Sequence, residues 1–281
     1  MKKDPLYFDK HAKLYDEVRP DYPDEIYKII AENLDESDYE NWLEIGAGNG
    51  VSSVQIIDKL RPKKITLLEP GVNFVEILKA KFSPKDNVEI IQSTFEEFQN
   101  SEKFDVILAA TSWHWLDLET KYSRVSKLLK PAGKLIIFRN YYGLENNKPK
   151  TLINENNDED LIAGIDALYQ KYGGKTVQEA SNSQSDRIDA RHKEVAESEQ
   201  FVTEKVETLE WHKSVDADMY IKLLRTFQDA TYFGEKFFEE LHAIISRNGG
   251  FIEERIITDL IIARKSVLEE SDHTLTKTEA L

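Results

Sequence analysis

Residues 43–50 read Leu43-Glu44-Ile45-Gly46-Ala47-Gly48-Asn49-Gly50, an acidic, glycine-rich turn at the end of a short apolar run. The next apolar run, Ile65-Thr66-Leu67-Leu68, stops at a second acid, Glu69. Backbone approaches a ligand closely only where side chains are missing, so Gly46, Gly48 and Gly50 mark a contact surface. A carboxylate at the tip of the following strand can accept both hydroxyls of a ribose, because its two oxygens lie side by side. These features point to a nucleoside-bearing cofactor held at the edge of a parallel sheet. Spacing narrows its type: a dinucleotide fingerprint requires its third glycine at position 51, and Val51 stands there.

A second group with chemical capacity is Trp113-His114-Trp115, just past the apolar run Phe104–Ala110. Open α/β sheets hold ligands at the C-terminal ends of their strands, and imidazole has a proton affinity suited to acid–base work near neutrality. His114 is therefore a candidate base, a substrate hydrogen-bond partner or a member of an aromatic box; a buried, hydrogen-bonded histidine is the plain alternative. Arg19 is a cation beside Pro20 in an acidic stretch. Its guanidinium suits a carboxylate ligand, against a surface ion pair with Asp16 or Asp21. The other histidines (His11, His192, His212, His242, His273) show neither H-x-H nor H-E-x-x-H spacing, so no metal site is expected. No G-x-S-x-G elbow or G-x-x-x-x-G-K-S/T loop occurs, which removes common hydrolase and nucleotide-triphosphatase readings.

The E-x-G-x-G-x-G arrangement at Glu44–Gly50 resembles the first motif of class I S-adenosylmethionine-dependent methyltransferases. Tyr15-Asp16-Glu17-Val18-Arg19-Pro20-Asp21-Tyr22-Pro23 is similar to the opening Y-D-x-x-R-P-x-Y-P segment of a small-molecule branch, the trans-aconitate methyltransferase-like proteins with a type 11 methyltransferase domain. Ser112-Trp113-His114-Trp115 resembles that branch's fourth motif, and Leu128-Leu129-Lys130-Pro131-Ala132-Gly133-Lys134-Leu135 its turn into the fifth strand. The likeness covers residues 7–142, and Gly249–Arg264 is similar to the last strand of such enzymes.

This resemblance implies S-adenosyl-L-methionine as the cofactor. Glu44 would organise the turn and help hold the methionine ammonium, with Gly46, Gly48 and Gly50 against the ligand. Glu69 would take the ribose diol rather than act only as a helix N-terminal acid, and Pro70 would shape the adenine wall. Arg19 would meet the cofactor carboxylate, with Tyr15 and Ala110 also lining the cofactor site. Thr94 stands where many relatives have Asp, so a carboxylate–amino bond is replaced by a hydroxyl or lost; the Phe95 backbone N–H can still meet an adenine ring nitrogen. Tyr15, Trp113, His114 and Trp115 would enclose a small organic substrate bearing an oxygen or nitrogen nucleophile. Positioning supplies much of such a reaction, so a strong base is not required.

Elements to position these residues are legible in the periodicity. Ile26, Ile29, Ile30 and Leu34 form one helical stripe, Val51, Val54, Ile57 and Leu60 a second, and Phe74, Leu78 and Phe82 a third. Apolar strands fall at 41–45, 65–68, 88–91, 106–110 and 135–138, and the helix marked by Tyr122, Val125 and Leu129 is expected to end at Lys130-Pro131. Alternation at Phe201–His212 suits a sixth strand with an irregularity, Met219–Phe227 and Phe233–Ile245 are helical, and Ile256–Ala263 is the last strand. The expected fold is α/β: a doubly wound, Rossmann-like, seven-stranded, mostly parallel sheet with an antiparallel last strand and a helical insertion. Residues 1–142 would be the cofactor-binding core, 143–200 a lid or substrate cap with one helix around Ile162–Tyr169, 201–265 the rest of the core, and 266–281 a mobile tail.

Charge and composition bound the partners. The formal charge of −15 weighs against a nucleic-acid substrate, because phosphate neutralisation normally demands a basic face. The one dense basic stretch, Lys59–Lys64, reads as cations at a helix C-terminus. No run approaches the ~20 apolar residues of a membrane span. Cysteine is absent and the opening Met1-Lys2-Lys3-Asp4-Pro5 lacks the apolar core of a signal peptide, so the expected compartment is the cytoplasm. Two other functions compete: a non-catalytic S-adenosylmethionine-binding or interaction protein, and an NAD-dependent oxidoreductase, which Val51 disfavours.

Overall fold

The computed structural model describes residues 8–144, 158–227 and 232–266, the first three of the second span by backbone alone. The opening residues 1–7, much of the polar stretch at 145–157 and the tail from 267, expected above to be mobile, lie outside the described residues. The strands are β1 (Asn41–Ile45), β2 (Lys64–Glu69), β3 (Val88–Gln92), β4 (Phe104–Ala110), β5 (Leu129–Gly143), β6 (Phe201–Asp216) and β7 (Phe251–Lys265). They form one seven-stranded sheet in the order β3-β2-β1-β4-β5-β7-β6. The first five strands pair in parallel, and β7 runs antiparallel to both β5 and β6. This is the expected Rossmann-like sheet, with the expected irregularity in β6 at Thr203/Lys205.

Apolar runs make the central strands suited to burial on both faces. One face carries α2 (Asp24–Glu32), α3 (Val51–Gln55, continued by a π-helical turn at Ile56–Leu60) and α4 (Val72–Phe82) on Trp42, Ile65, Leu67, Val106 and Phe138. The other face packs α5 (Lys121–Leu128), Phe95 and Phe98 against Leu43, Ile107 and Ile137. Past the C-terminal edge of the parallel strands lies a third core. There α6 (Asp158–Lys171), α8 (Ala217–Arg225) and α9 (Glu235–Arg247) bring Ile165, Leu168, Tyr220, Phe237 and Leu241 together with Ile252 of β7. This helical layer roofs the sheet edge.

Two elements differ from expectation. The helix over Lys121–Leu128 stops before Lys130-Pro131 and Leu129 already pairs with Phe104. Proline has no N–H for a helix and pushes its predecessor out of the α region, so the chain leaves early and bulges before Lys134 pairs with Val106. The insertion holds two helices instead of one: α6, and a 20-residue α7 (Val177–Ala196). Its sequence lacks a continuous apolar stripe. It is fixed by a capping box between Thr176 and Glu179, by Ile188 and Val195, and by polar contacts to the sheet described below.

Gly50 is where the glycine turn locks to this framework. It sits at φ +80°, and a Cβ there would lie 2.9 Å from Phe82 and 3.0 Å from Leu78 of α4. Gly50→Ala is expected to lower unfolding free energy by on the order of 1–3 kcal/mol, through strain and overpacking, measured by urea denaturation; an unchanged midpoint would contradict this packing.

Candidate active site

Parallel pairing sets the site. Ile45 stands in register with Leu68, so the turn after β1 and Glu69 at the tip of β2 reach one level. The Glu69 carboxylate there accepts the Gly48 N–H at 2.8 Å and the Gly71 N–H at 2.8 Å. A carboxylate offers about four lone-pair positions, so the two oxygens retain capacity for two further donors. Burial pushes its pKa up to about 7, against the two backbone N–H groups that lower it, and nearby Asp9 raises it further. Asp9 in turn accepts the N–H groups of Asn73 and Phe74, capping α4 from outside that helix.

The three glycines of the turn have three different reasons. Gly48, at φ +57°, has open space where a Cβ would be, so its missing side chain faces the cavity. A Cβ on Gly46 would lie 2.6 Å from the Ser112 side chain, whose hydroxyl donates to the Ile45 carbonyl. Gly50 packs on α4 and does not line the cavity. Glu44 is also outside the lining: fully buried, it accepts hydroxyls from Ser52 and Ser53, tying β1 to α3. Burial raises Glu44 to about 7, those two hydroxyls oppose the rise and Glu69 adds to it.

A cavity of about 1120 Å³ opens over this edge, lined among others by Tyr15, Arg19, Gly46, Gly48, Glu69, Pro70, Thr94, Phe95, Ala110, Trp113, His114 and Trp115. The structure thus brings all the sequence-predicted residues except Glu44 and Gly50 to one space. Tyr15, on α1 (Ala12–Val18), meets Phe74 edge-on at 5.5 Å. Arg19 forms no surface pair with Asp16, which binds Asn49 and Lys81 instead. Its guanidinium carbon lies 4.7, 5.2 and 4.3 Å from the rings of Tyr15, Tyr142 and Phe227, and its buried Nε has no hydrogen-bond partner. Tyr22 hydrogen-bonds Thr111, which holds a strained φ of +58° at the end of β4.

On the other flank, the Thr94 hydroxyl exchanges hydrogen bonds with the Glu97 amide and carboxylate, which turns it into the loop. Phe95 is buried, and Trp113 is buried edge-on against Tyr122 at 5.2 Å. His114 and Trp115 are half-buried neighbours, ring centroids 5.1 Å apart.

Several lining residues escaped the sequence reading. Arg139 of β5 lines the cavity together with Arg187 and Arg191 of α7, close enough for their like charges to act on it. Arg191 pairs with buried Asp259, which also bonds His192, and Arg191 donates to the Tyr141 hydroxyl at 2.8 Å. Arg139 lies 4.9 Å from the Tyr141 ring and has no ion pair among the described residues. Burial holds it below the ordinary guanidinium range, and its arginine neighbours add to the shift while Tyr141 and Tyr22 oppose it. From the roof come Tyr169, Tyr220 and Phe233, and from β7 the buried Glu254. A readable signal existed for Glu254, since period two places it in the buried register of Ile252 and Ile256. Among the described residues no helix is long and apolar enough to cross a membrane.

Residues 43–137 match the family model described as a methyltransferase domain. A Dictyostelium discoideum protein provisionally named a methyltransferase is 33% identical over 156 residues, covering 55% of this chain and 54% of that protein. Malonyl-[acyl-carrier protein] O-methyltransferase 2 of Ilyobacter polytropus is 29% identical over 140 residues, 48% of this chain and 52% of that protein. The chain spans about half the length of these curated relatives. A solved structure from Anaeromyxobacter dehalogenans, provisionally named a type II methyltransferase, superposes with a TM-score of 0.54 at 16% identity over 88% of this chain and 97% of that one, a likeness of fold.

Glu44 and Glu69 rise in the folded chain from 4.5 to about 7. Across that interval the folded state binds more protons than the unfolded one, so their contribution to stability is full at the acid end and falls as pH rises. Urea unfolding is expected to show a loss between about pH 4.5 and about pH 7, and Glu44→Gln should reduce that loss by on the order of 2–3 kcal/mol. Stability that rises over this interval by an amount insensitive to Glu44→Gln would contradict the assignment.

Proposed function

We propose that this chain, whose residues 43–137 match a methyltransferase domain, is a class I S-adenosylmethionine-dependent methyltransferase that acts on a small organic molecule at an oxygen or nitrogen nucleophile. One observation carries the reading. The Gly48 amide and Glu69 carboxylate are joined in a cavity that also receives Arg19 from one side and His114 from the other. The residues present fit the cofactor. Gly48 leaves room where a Cβ would be, Glu69 keeps two acceptor positions for a ribose, and Arg19, whose buried Nε has no partner, lines the same space as a cation for a carboxylate.

When bound, the cofactor supplies an electrophilic methyl group on a sulfonium. The chain's own work is to hold two partners in line and exclude water, which suits a deep, aromatic-walled cavity. Pro70 and Phe95 would wall the adenine. Tyr15, Trp115 and His114 would border the nucleophile, with His114 taking a proton if the nucleophile must lose one. Residues 143–200 would act as a substrate cap: Tyr169, Tyr172, Gln184 and Arg187 already line the same space. Arg139 and Arg187 make one end of that space positive, which suits a substrate with an acidic group.

Calorimetry with S-adenosylhomocysteine and with NAD tests the cofactor, and a metabolite panel following S-adenosylhomocysteine release tests turnover. The first ligand should bind and NAD should not. Glu69→Ala should weaken binding by about 1.5–3 kcal/mol for each of two lost hydrogen bonds, and Gly48→Val should abolish it. His114→Ala should leave that affinity nearly intact while lowering turnover, by up to about 10²–10⁴-fold if the nucleophile needs a base. NAD binding without S-adenosylhomocysteine binding, or loss of cofactor affinity in His114→Ala, would contradict these roles.

A further inference from the structure

Glu254 is 2% exposed, lines the cavity, and makes no hydrogen bond or ion pair among the described residues; its Oε2 is buried with no partner. Lys213 stands opposite it in the β6–β7 register but is exposed and out of ion-pair range. Burying a carboxylate without donors is costly, and proteins retain such groups where a ligand completes them. Burial raises this carboxyl to about 8, though Arg19 and Lys213 pull the other way. The neighbouring surface is aromatic. Tyr169 and Tyr220 line the same cavity within electrostatic reach of Glu254, and Tyr169 meets Phe233 and Phe237 edge-on at 5.6 and 5.1 Å.

We propose that Glu254, with Tyr169 and Tyr220, is the seat of a substrate amine, so that the substrate of the methyl transfer proposed above carries an ammonium group at this end of the cavity. A purely apolar group would leave the buried Oε2 without a partner, and an anion would oppose ionisation of the carboxyl, whereas a cation favours it. An ammonium supplies up to three donors and a positive charge, and aromatic faces attract the same charge. Glu254 lies on β7 two residues from Ile252 of the roof core, so this seat is placed under the helical roof. Arg139 stands in register with Asp259, five residues further along β7. The inference rests on the small-molecule reading but is tested without turnover.

The test uses benzylamine and benzyl alcohol as matched probes, titrated into the full chain and into Glu254→Gln by calorimetry near neutral pH, with S-adenosylhomocysteine binding measured separately. Benzylamine should bind the native chain at least tenfold more tightly than benzyl alcohol, and Glu254→Gln should remove that preference. The same variant, in which a neutral amide replaces a carboxyl that burial keeps largely protonated near neutral pH, should melt no lower than the native protein in the absence of ligand. Equal affinity for the two probes, no amine binding, an amine preference that survives Glu254→Gln, or a lowered melting temperature in that variant would each overturn the assignment. Failure of S-adenosylhomocysteine to bind would instead strike the methyltransferase reading and leave the amine result to stand alone.

Discussion

The hydrogen bond from the Gly48 amide to the Glu69 carboxylate joins the two loops on which the site is built. It depends on parallel register, because only with Ile45 beside Leu68 do both loops reach one height. It depends also on a left-handed backbone at Gly48, which glycine adopts without steric penalty. Glu69 is held by a second amide from Gly71, and Asp9 caps the helix that begins there. That cap ties the chain's early segment to α4, and the same segment leads through Tyr15 to Arg19. One acid, one amide and one register thus position residues separated by more than fifty places in the chain.

Above this edge the cavity is made by two different kinds of packing. Its floor is strand termini, which are rigid because their apolar faces are buried on both sides of the sheet. Its roof is a separate apolar core of α6, α8 and α9, and Phe227 at the end of that layer stacks on Arg19. The floor carries groups of general use to a nucleoside ligand. Individual character comes from the roof and from the lateral wall of α7, and from two charged groups on the strands beneath them, Glu254 of β7 and Arg139 of β5, which is in register with Asp259 five residues along β7. A cavity with opposed charges and aromatic sides favours polar small molecules in one orientation, since reversal would place like charges together.

Much of the floor was legible because its determinants are local. Apolar runs report buried parallel strands, and the glycines and two acids stand at fixed offsets from them. Even so, composition could not separate the glycines: Gly48 faces the cavity, Gly46 accommodates Ser112, and Gly50 accommodates Phe82. Glu44, expected near the ligand, turns inward because Ser52 and Ser53, in the first turn of α3, offer it hydroxyls. The roof and wall were harder to read. α7 has no apolar stripe to announce it, since its inner face is secured partly by Arg191 and His192 on Asp259. Arg139 and Glu254 sit in strands where a charged residue ordinarily points to solvent. Only the non-local placement of α7 and of the helical roof makes them part of an interior.

The most direct test of the account is a crystal structure of the chain with S-adenosylhomocysteine. The account predicts the ribose hydroxyls on Glu69 with the Gly48 hydrogen bond retained, the amino-acid carboxylate toward Arg19, and an open space beside the sulfur bordered by His114 and Trp115. A ligand seated away from Glu69, or one that breaks the Gly48–Glu69 bond in order to bind, would contradict it.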